Sequence, residues 1–237
     1  MERLISFLKW LLAMLPAQKT AAHPMPEARP DAEAEPRAAP ETAGTSQGSD
    51  GGPKPKEAGV RIAISSGHGA RVPGAVGILN EVREARRIVK RVAKHLREMG
   101  VTAHEFHDDA STTQGQNLDT VIGWHNRQER DMDASVHLNA FKPTDGPRGT
   151  EAYYLSEAKT AKNVSKAIAR AGGFRNRGGK LGGFAFLRRT EKPAILIEVC
   201  FVDSATDASL YEANFDAICL AIADALVAAN CRGRHDD

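Results

Sequence analysis

Eight residues in the C-terminal part of the sequence, AILIEVCF (Ala194–Phe201), decide the fold. All but one are apolar, and an apolar run of this length is typical of a strand that is buried on both faces of a sheet. The exception is Glu198, because a carboxylate among apolar neighbours is costly unless it is paired, protonated or bound to a cation. The stretch therefore predicts a central strand that also carries a chemically unusual side chain.

Strand-like and helix-like segments alternate around this central strand. Strands are predicted at 61–65, 101–106, 134–140 and 149–155, and helices at 81–99, 118–130, 158–171 and 209–229. The helix at 81–99 has Asn80 as a suitable N-cap and Gly100 as a suitable C-cap. This alternation favours an α/β fold in which a largely parallel sheet is covered by helices on both faces.

Composition excludes several classes of protein. The 237 residues are 41% hydrophobic and 26% charged, a balance typical of globular domains. The net charge of +2 excludes a strongly basic nucleic-acid binder on charge alone. The three cysteines are too few and too C-terminal for a disulfide framework. No apolar run reaches the roughly 18 residues that a bilayer-spanning helix requires.

The chain divides into four predicted segments. Residues 1–18 place leucines at helical spacing and are interpreted as an export signal, as an amphipathic helix on a membrane or partner surface, or as a terminus without a role. Residues 19–59 predict a disordered linker, since eight of the twelve prolines precede residue 60 and large apolar side chains are nearly absent. Residues 60–230 form the predicted folded domain, and residues 231–237 form a C-terminal tail.

Two histidines are predicted at the same edge of the sheet. His68 lies in SSGHGA directly after the first strand, and His137 lies in SVHLNA near the end of another strand. Binding sites collect at the carboxyl ends of parallel strands, so both imidazoles are candidate metal ligands. The alternative is that each is a buried histidine satisfied by the backbone.

Two carboxylates extend this set. Glu81 opens a helix after the glycine-rich loop, where it could alternatively just complement the helix dipole. Glu198 could alternatively form a buried ion pair with Arg188 or Arg189. Three nitrogen and oxygen ligands leave a fourth position open on zinc, which is typical of a hydrolytic site, and a spare glutamate can then transfer protons. The candidate set is His68, Glu81, His137 and Glu198.

From Val60 to about Leu226, the sequence resembles the type-3 family of zinc-dependent N-acetylmuramoyl-L-alanine amidases. The motifs that carry the resemblance are SSGHGA, NEVREAR, SVHLNA, RGTEAYYL, RNRGGKLGGFAFLRR and PAILIEVCF. The resemblance implies that His68, Glu81 and His137 are zinc ligands and that Glu198 is the catalytic glutamate. It also implies a three-layer fold related to zinc exopeptidases, with a twisted, mixed and mostly parallel sheet flanked by helices.

The activity implied is hydrolysis of the amide bond between N-acetylmuramic acid and L-alanine of the peptidoglycan stem peptide, with 60–230 as the catalytic domain. Two alternatives remain: another zinc peptidase or amidohydrolase on the same scaffold, and an inactive cell-wall-binding module.

Some relatives carry an inserted helix that blocks the zinc. Here Tyr154–Ser156 leads almost directly into the next helix, so we expect no such self-inhibition.

The glycine-rich segment GGFRNRGGKLGG (Gly172–Gly183) predicts a mobile, cationic loop. Its Arg177 and Lys180 are candidates for binding stem-peptide carboxylates, and a merely solvated loop is the alternative.

The expected partner is peptidoglycan, with no nucleic acid, and any membrane contact is expected through 1–18. We expect a monomer that is secreted or periplasmic, or alternatively a phage-type lysin released to the cell wall.

Overall fold

A six-stranded mixed sheet forms the centre of the folded domain. The structure, a computed structural model, describes residues 59–232. The predictions for 1–18, for nearly all of 19–59 and for the last five residues of the tail lie outside the described residues. In the described part, no helix is both long enough and apolar enough to cross a membrane.

The sheet order is β2-β1-β3-β6-β4-β5. All neighbouring strands are parallel except β4 and β6, which are antiparallel. The mixed, mostly parallel sheet expected from the sequence is therefore confirmed, with β6 in its interior. The strands are β1 (Arg61–Ser66), β2 (Thr102–Phe106), β3 (Met132–Asn139), β4 (Thr150–Tyr154), β5 (Asn176–Leu181) and β6 (Ala194–Phe201).

Helices cover both faces of this sheet. The larger apolar core joins Ile195 and Ile197 of β6 to side chains of α1, α3 and α6, and a smaller core joins Leu196 to side chains of α2 and α4. Alternate residues of β6 thus enter opposite cores, as the period of a strand requires. The helices are α1 (Glu81–Glu98), α2 (Gln114–Asn126), α3 (Ala158–Gly172), α4 (Ala185–Arg189), α5 (Ala205–Ala213) and α6 (Phe215–Arg232).

Two predicted helices differ from the structure. The helix expected at 118–130 begins at Gln114, because Thr113 and Gln116 form a capping box in which each side chain bonds to the other's backbone. The helix expected at 209–229 is two helices, α5 and α6, separated at Asn214. Ser204 caps α5, since its hydroxyl accepts a hydrogen bond from the backbone N–H of Asp207.

The prediction of a mobile loop at 172–183 is wrong. This segment contains the end of α3 and the whole of the edge strand β5. Gly178 has φ of +80° where the register between β4 and β5 shifts, so it permits a bulge. Gly179 lies so close to α3 that a Cβ would come within 2.8 Å of the Lys162 backbone nitrogen. These glycines allow close packing, which is a different use from loop mobility.

Candidate metal centre and the adjoining cleft

His68, Glu81 and His137 come together from three separate elements. His68 follows β1, Glu81 is the first residue of α1, and His137 lies in β3. The backbone N–H groups of Ala75 and Leu138 donate to the two carboxylate oxygens of Glu81 at 2.7 and 3.2 Å. The glutamate is therefore held by the preceding loop and by β3, so its position does not depend on the helix alone.

The three side chains form a compact, buried cluster. One ligand atom from each lies within 4.8 Å of the other two, which allows a single metal ion to contact all three. Glu81 Oε1 lies 3.5 Å from Nε2 of His68 and 3.1 Å from Nδ1 of His137. Two imidazoles and one carboxylate suit zinc or another divalent transition metal better than calcium or magnesium.

Two glycines make room for this cluster. A Cβ on Gly67 would come within 1.8 Å of the His137 ring, and a Cβ on Gly74 would come within 2.5 Å of the Glu81 carboxylate. Any larger residue at either position would displace a candidate ligand. The small residues around His68 in the sequence thus have a steric reason, which is the close approach of backbone to ligand side chains.

The hydrogen bonds and protonation of the cluster suit metal binding. Ser135 Oγ lies 3.1 Å from Nε2 of His137, which fixes the ring with its Nδ1 towards Glu81. Burial lowers the pKa of His68 and favours its neutral form. Burial alone would raise the pKa of Glu81, but the neighbouring imidazoles and the Ala75 hydrogen bond lower it overall. Neutral imidazole and ionised carboxylate are the states that bind a metal.

Glu198 lies beside this cluster on the same face of the sheet. It is the register partner of His137 on β3 and of Glu151 on β4, so the three side chains form a row across the sheet. Glu198 is buried, and its Oε2 has no hydrogen-bond partner among residues 59–232. Burial raises its pKa well above the ordinary value, and the charges of Glu81 and Glu151 raise it further.

The alternative ion pair for Glu198 is not formed in the described part of the chain. Arg188 and Arg189 are both exposed on α4, and Arg189 pairs with Asp119 at 2.7 Å. A buried carboxyl with an unsatisfied oxygen beside three candidate ligands needs a cation or a proton. This arrangement can therefore bind a metal ion and hold or transfer a proton next to it.

A cleft of about 320 Å³ adjoins Glu198. Arg177 and Lys180, predicted from the sequence as substrate-binding residues, line this cleft together with Arg148. The other residues that line it are Asn139, Ala140, Phe141, Glu151, Tyr153, Phe184 and Phe201. The cleft thus combines aromatic walls with three cationic side chains, and the buried glutamate lies at its edge.

Glu151 and Arg148 are charged residues of the cleft that were not predicted from the sequence. The carboxylate of Glu151 accepts hydrogen bonds from Asn139 and Tyr153, and it pairs with both Arg177 and Lys180. Burial would raise the pKa of Glu151, but the bonds from these cations and from Tyr153 lower it overall. The argument applied to Glu198, an acid inside a predicted strand, would also have found Glu151 in RGTEAYYL.

The sequence matches one family model and several known proteins over the folded domain. The family model described as N-acetylmuramoyl-L-alanine amidase matches residues 62–228. An uncharacterized protein of Clostridium perfringens is 30% identical over 179 residues, covering 70% of this chain and 51% of that protein. The N-acetylmuramoyl-L-alanine amidase LytC of Bacillus subtilis is 29% identical over 164 residues, covering 64% of this chain and 31% of LytC.

A solved structure extends these matches to the fold. The catalytic domain of CwlV, an N-acetylmuramoyl-L-alanine amidase from Bacillus (Paenibacillus) polymyxa, is 26% identical with a TM-score of 0.64. The alignment covers 73% of this chain and 98% of that domain. The chain spans about half or less of the length of the two sequence relatives, whereas it spans nearly all of the CwlV domain.

Proposed function

The chain belongs to the N-acetylmuramoyl-L-alanine amidase family, and on this basis we propose that residues 60–230 form a zinc-dependent hydrolase of the bacterial cell wall. The bond cleaved joins N-acetylmuramic acid to L-alanine of the stem peptide. The observation that carries the proposal is the buried cluster of His68, Glu81 and His137 with the unsatisfied carboxyl of Glu198 beside it.

His68, Glu81 and His137 are the residues that would hold zinc. The fit rests on three points: donor atoms close enough for one ion, glycines that leave room for the rings, and the orphan oxygen of Glu198 next to them. When bound, zinc supplies Lewis-acid polarisation of the scissile carbonyl and of a water molecule. The two imidazoles and one carboxylate leave part of its coordination free for this purpose.

Glu198 supplies the proton transfers. Because burial raises its pKa well above the ordinary value, the carboxylate is a better base, able to accept a proton from the attacking water and return one to the departing nitrogen of L-alanine. Its place on the central strand β6, beside His137, keeps the carboxyl fixed relative to the candidate ligands. A general acid–base residue on a rigid strand loses little conformational entropy in each cycle.

The peptide side of the substrate occupies the cleft next to Glu198. Arg177 and Lys180 would then face the stem peptide, with their positions set by Glu151.

The substrate is peptidoglycan, so the protein acts at the cell wall, either after export or as a lysin released to the wall. We expect it to act as a monomer. We also expect it to need no activating partner, since only Leu155–Glu157 separate β4 from α3 and leave no room for an inserted blocking helix.

The deciding experiment uses purified sacculi and the purified full chain with zinc. We expect release of free amino groups without new reducing ends. Glu198→Gln removes the proton carrier while keeping the shape, so we expect kcat to fall by about 10²–10⁴. Glu191→Gln, a change at an exposed glutamate on the same domain, is the matched control and retains activity.

Three results would contradict the proposal. New reducing ends would indicate a glycosidase, and cleavage of free peptides without cleavage of sacculi would indicate a peptidase. Full activity after chelation of zinc would exclude the metal mechanism.

A further inference from the structure

Among the described residues, three cationic side chains line the cleft, and they differ in whether a carboxylate neutralises them. Arg177 and Lys180 both pair with the single buried carboxylate of Glu151. Because Glu151 also accepts from Asn139 and Tyr153, its oxygens are fully used within the protein. These three charged groups sum to one positive charge, and their mutual bonds hold the two cations in place.

Arg148 is the cation of the cleft that has no carboxylate within ion-pair distance among residues 59–232. Its Nη2 donates to the backbone carbonyl of Lys142 at 2.7 Å, and its Nε has no hydrogen-bond partner in the same part of the chain. Of the five N–H donors of a guanidinium, one bonds to Lys142 and the Nε donor is buried, so the remaining Nη donors are the ones that a ligand can contact.

The guanidinium of Arg148 is nevertheless held in one place. Its Cζ lies 5.0 Å from the ring centre of Phe141 and 5.7 Å from that of Phe201. Such cation–π contacts position a planar cation without using its N–H groups. Phe201 also lies against the guanidinium of Arg177 at 5.0 Å, so two cations share this ring.

The backbone beneath Arg148 is anchored as well. The buried carboxylate of Asp207 accepts from the backbone N–H groups of Arg148 and Gly149 at 3.0 and 2.9 Å. Gly149 has φ of +102°, and a Cβ there would come within 2.0 Å of the Arg175 carbonyl oxygen. The carboxylate of Asp207 thus binds backbone N–H groups, and these bonds tie the segment that carries Arg148 to α5.

We propose that Arg148 binds a carboxylate on the peptide portion of the substrate and so determines a preference for stems with a free carboxylate. This inference rests on the proposed amidase function. A carboxylate matches the planar fork of a guanidinium in two hydrogen bonds, and a rigid, uncompensated guanidinium in a cleft binds one at little entropic cost. Arg177 and Lys180 contribute attraction, but their closest anion is already part of the protein.

The test compares two soluble muramoyl peptides that differ only in whether the peptide carboxylates are free or converted to primary amides. For the wild-type protein with zinc, we expect kcat/KM to be about 10- to 100-fold higher for the free acid, the size expected for a charge-assisted hydrogen bond. Arg148→Gln should reduce this ratio to near one, mainly through a higher KM for the acid. Arg148→Lys should retain part of the preference for the free acid, since lysine keeps the positive charge but lacks the paired N–H donors of a guanidinium.

Arg170→Gln is the matched control, because it removes the same charge from an exposed site on α3 and should keep the full preference. Circular dichroism and zinc-induced thermal stabilisation establish that each variant folds and still binds the metal. A wild-type protein that cleaves both peptides equally would overturn the inference while leaving the amidase function intact. A preference that survives Arg148→Gln, or that Arg177→Gln alone abolishes, would overturn it too. Cleavage of neither peptide by wild type would instead refute the proposed function itself.

Discussion

At the scale of single residues, two carboxyls on neighbouring strands have opposite surroundings. Glu151 on β4 contacts two cations and two neutral donors, and its pKa is lowered. Glu198 on β6 is its register partner but keeps an unsatisfied oxygen, and burial raises its pKa well above the ordinary value. The same residue type thus serves as a fixed anion that organises cations and as a carboxyl suited to proton transfer.

A second buried network lies on the same face of the sheet as the candidate metal site but shares no residue with it. Nδ1 of His125 lies 2.7 Å from Asp133, and its Nε2 lies 2.9 Å from Ser65. Arg130 closes the network with two hydrogen bonds to Asp133. The order serine–histidine–aspartate is that of a hydrolase triad, but all three residues are fully buried, so no substrate reaches the serine and the network is structural.

This network predicts that the stability of the zinc-free protein depends on pH. Burial lowers the pKa of His125, although Asp133 opposes the effect, so folding favours the neutral ring. Below the unfolded value of about 6.5 the unfolded chain binds a proton that the folded chain does not, and stability falls as the pH is lowered. When the pH is lowered from 7.5 to 5.5, the unfolding free energy of both proteins should fall. We expect the fall to be about 1 kcal/mol smaller for His125→Asn than for wild type.

Urea unfolding at the two pH values, in the presence of a chelator, measures this difference. His68 titrates in the same direction but is present in both proteins, so its contribution cancels. An equal loss in wild type and variant would show that His125 is not the responsible group.

At the scale of elements, β5 shows how composition can mislead. Its glycines suggest a loop, yet Gly179 lies against the backbone of α3, and the ion pairs of Arg177 and Lys180 with Glu151 tie the strand to β4. We expect Gly179→Ala to lower the unfolding free energy by about 1–3 kcal/mol, because the added methyl would force α3 and β5 apart.

Gly183→Ala is the matched control for this change, since nothing lies within 4 Å of a Cβ there. Its effect should stay within about 0.5 kcal/mol. Urea denaturation of the two variants checks the prediction, and equal stability of both would contradict the packing role of Gly179.

At the scale of the whole molecule, the candidate metal site connects elements that are distant in sequence. His68, Glu81 and His137 belong to the β1 loop, α1 and β3, so an ion bound by all three links the edge of the sheet to a covering helix. Binding to the folded state alone stabilises it by about 2.7 kcal/mol at a hundredfold excess over Kd. For a domain of this size, that corresponds to a rise in Tm of roughly 5–10 °C.

Thermal unfolding with and without zinc measures this rise. His137→Ala should abolish it, whereas Glu198→Gln, outside the ligand triad, should retain it. A zinc effect that persists in His137→Ala would place the metal elsewhere. Loss of the effect in Glu198→Gln would make that glutamate a ligand.

Much of the fold, and the residues of the candidate metal site, followed from local patterns. The apolar run at 194–201 identified β6 to the residue, Asn80 identified the start of α1, and strand ends followed by histidines identified the sheet edge. These features are local because hydrophobic period, capping and turn chemistry each depend on a few neighbouring residues. The family motifs then pointed to His68, Glu81, His137 and Glu198 as one set.

Only the tertiary structure decided which side chains neutralise one another. Glu151 lies 26 residues from Arg177 along the chain and 47 residues from Glu198, yet strand pairing brings all three to one cleft. The sequence contains every one of these charges, but ion pairing depends on distance through space, which strand register and helix packing set. Hence the sequence determined the candidate chemistry. The fold determined that Glu151 pairs with Arg177 and Lys180, whereas no carboxylate within residues 59–232 pairs with Arg148.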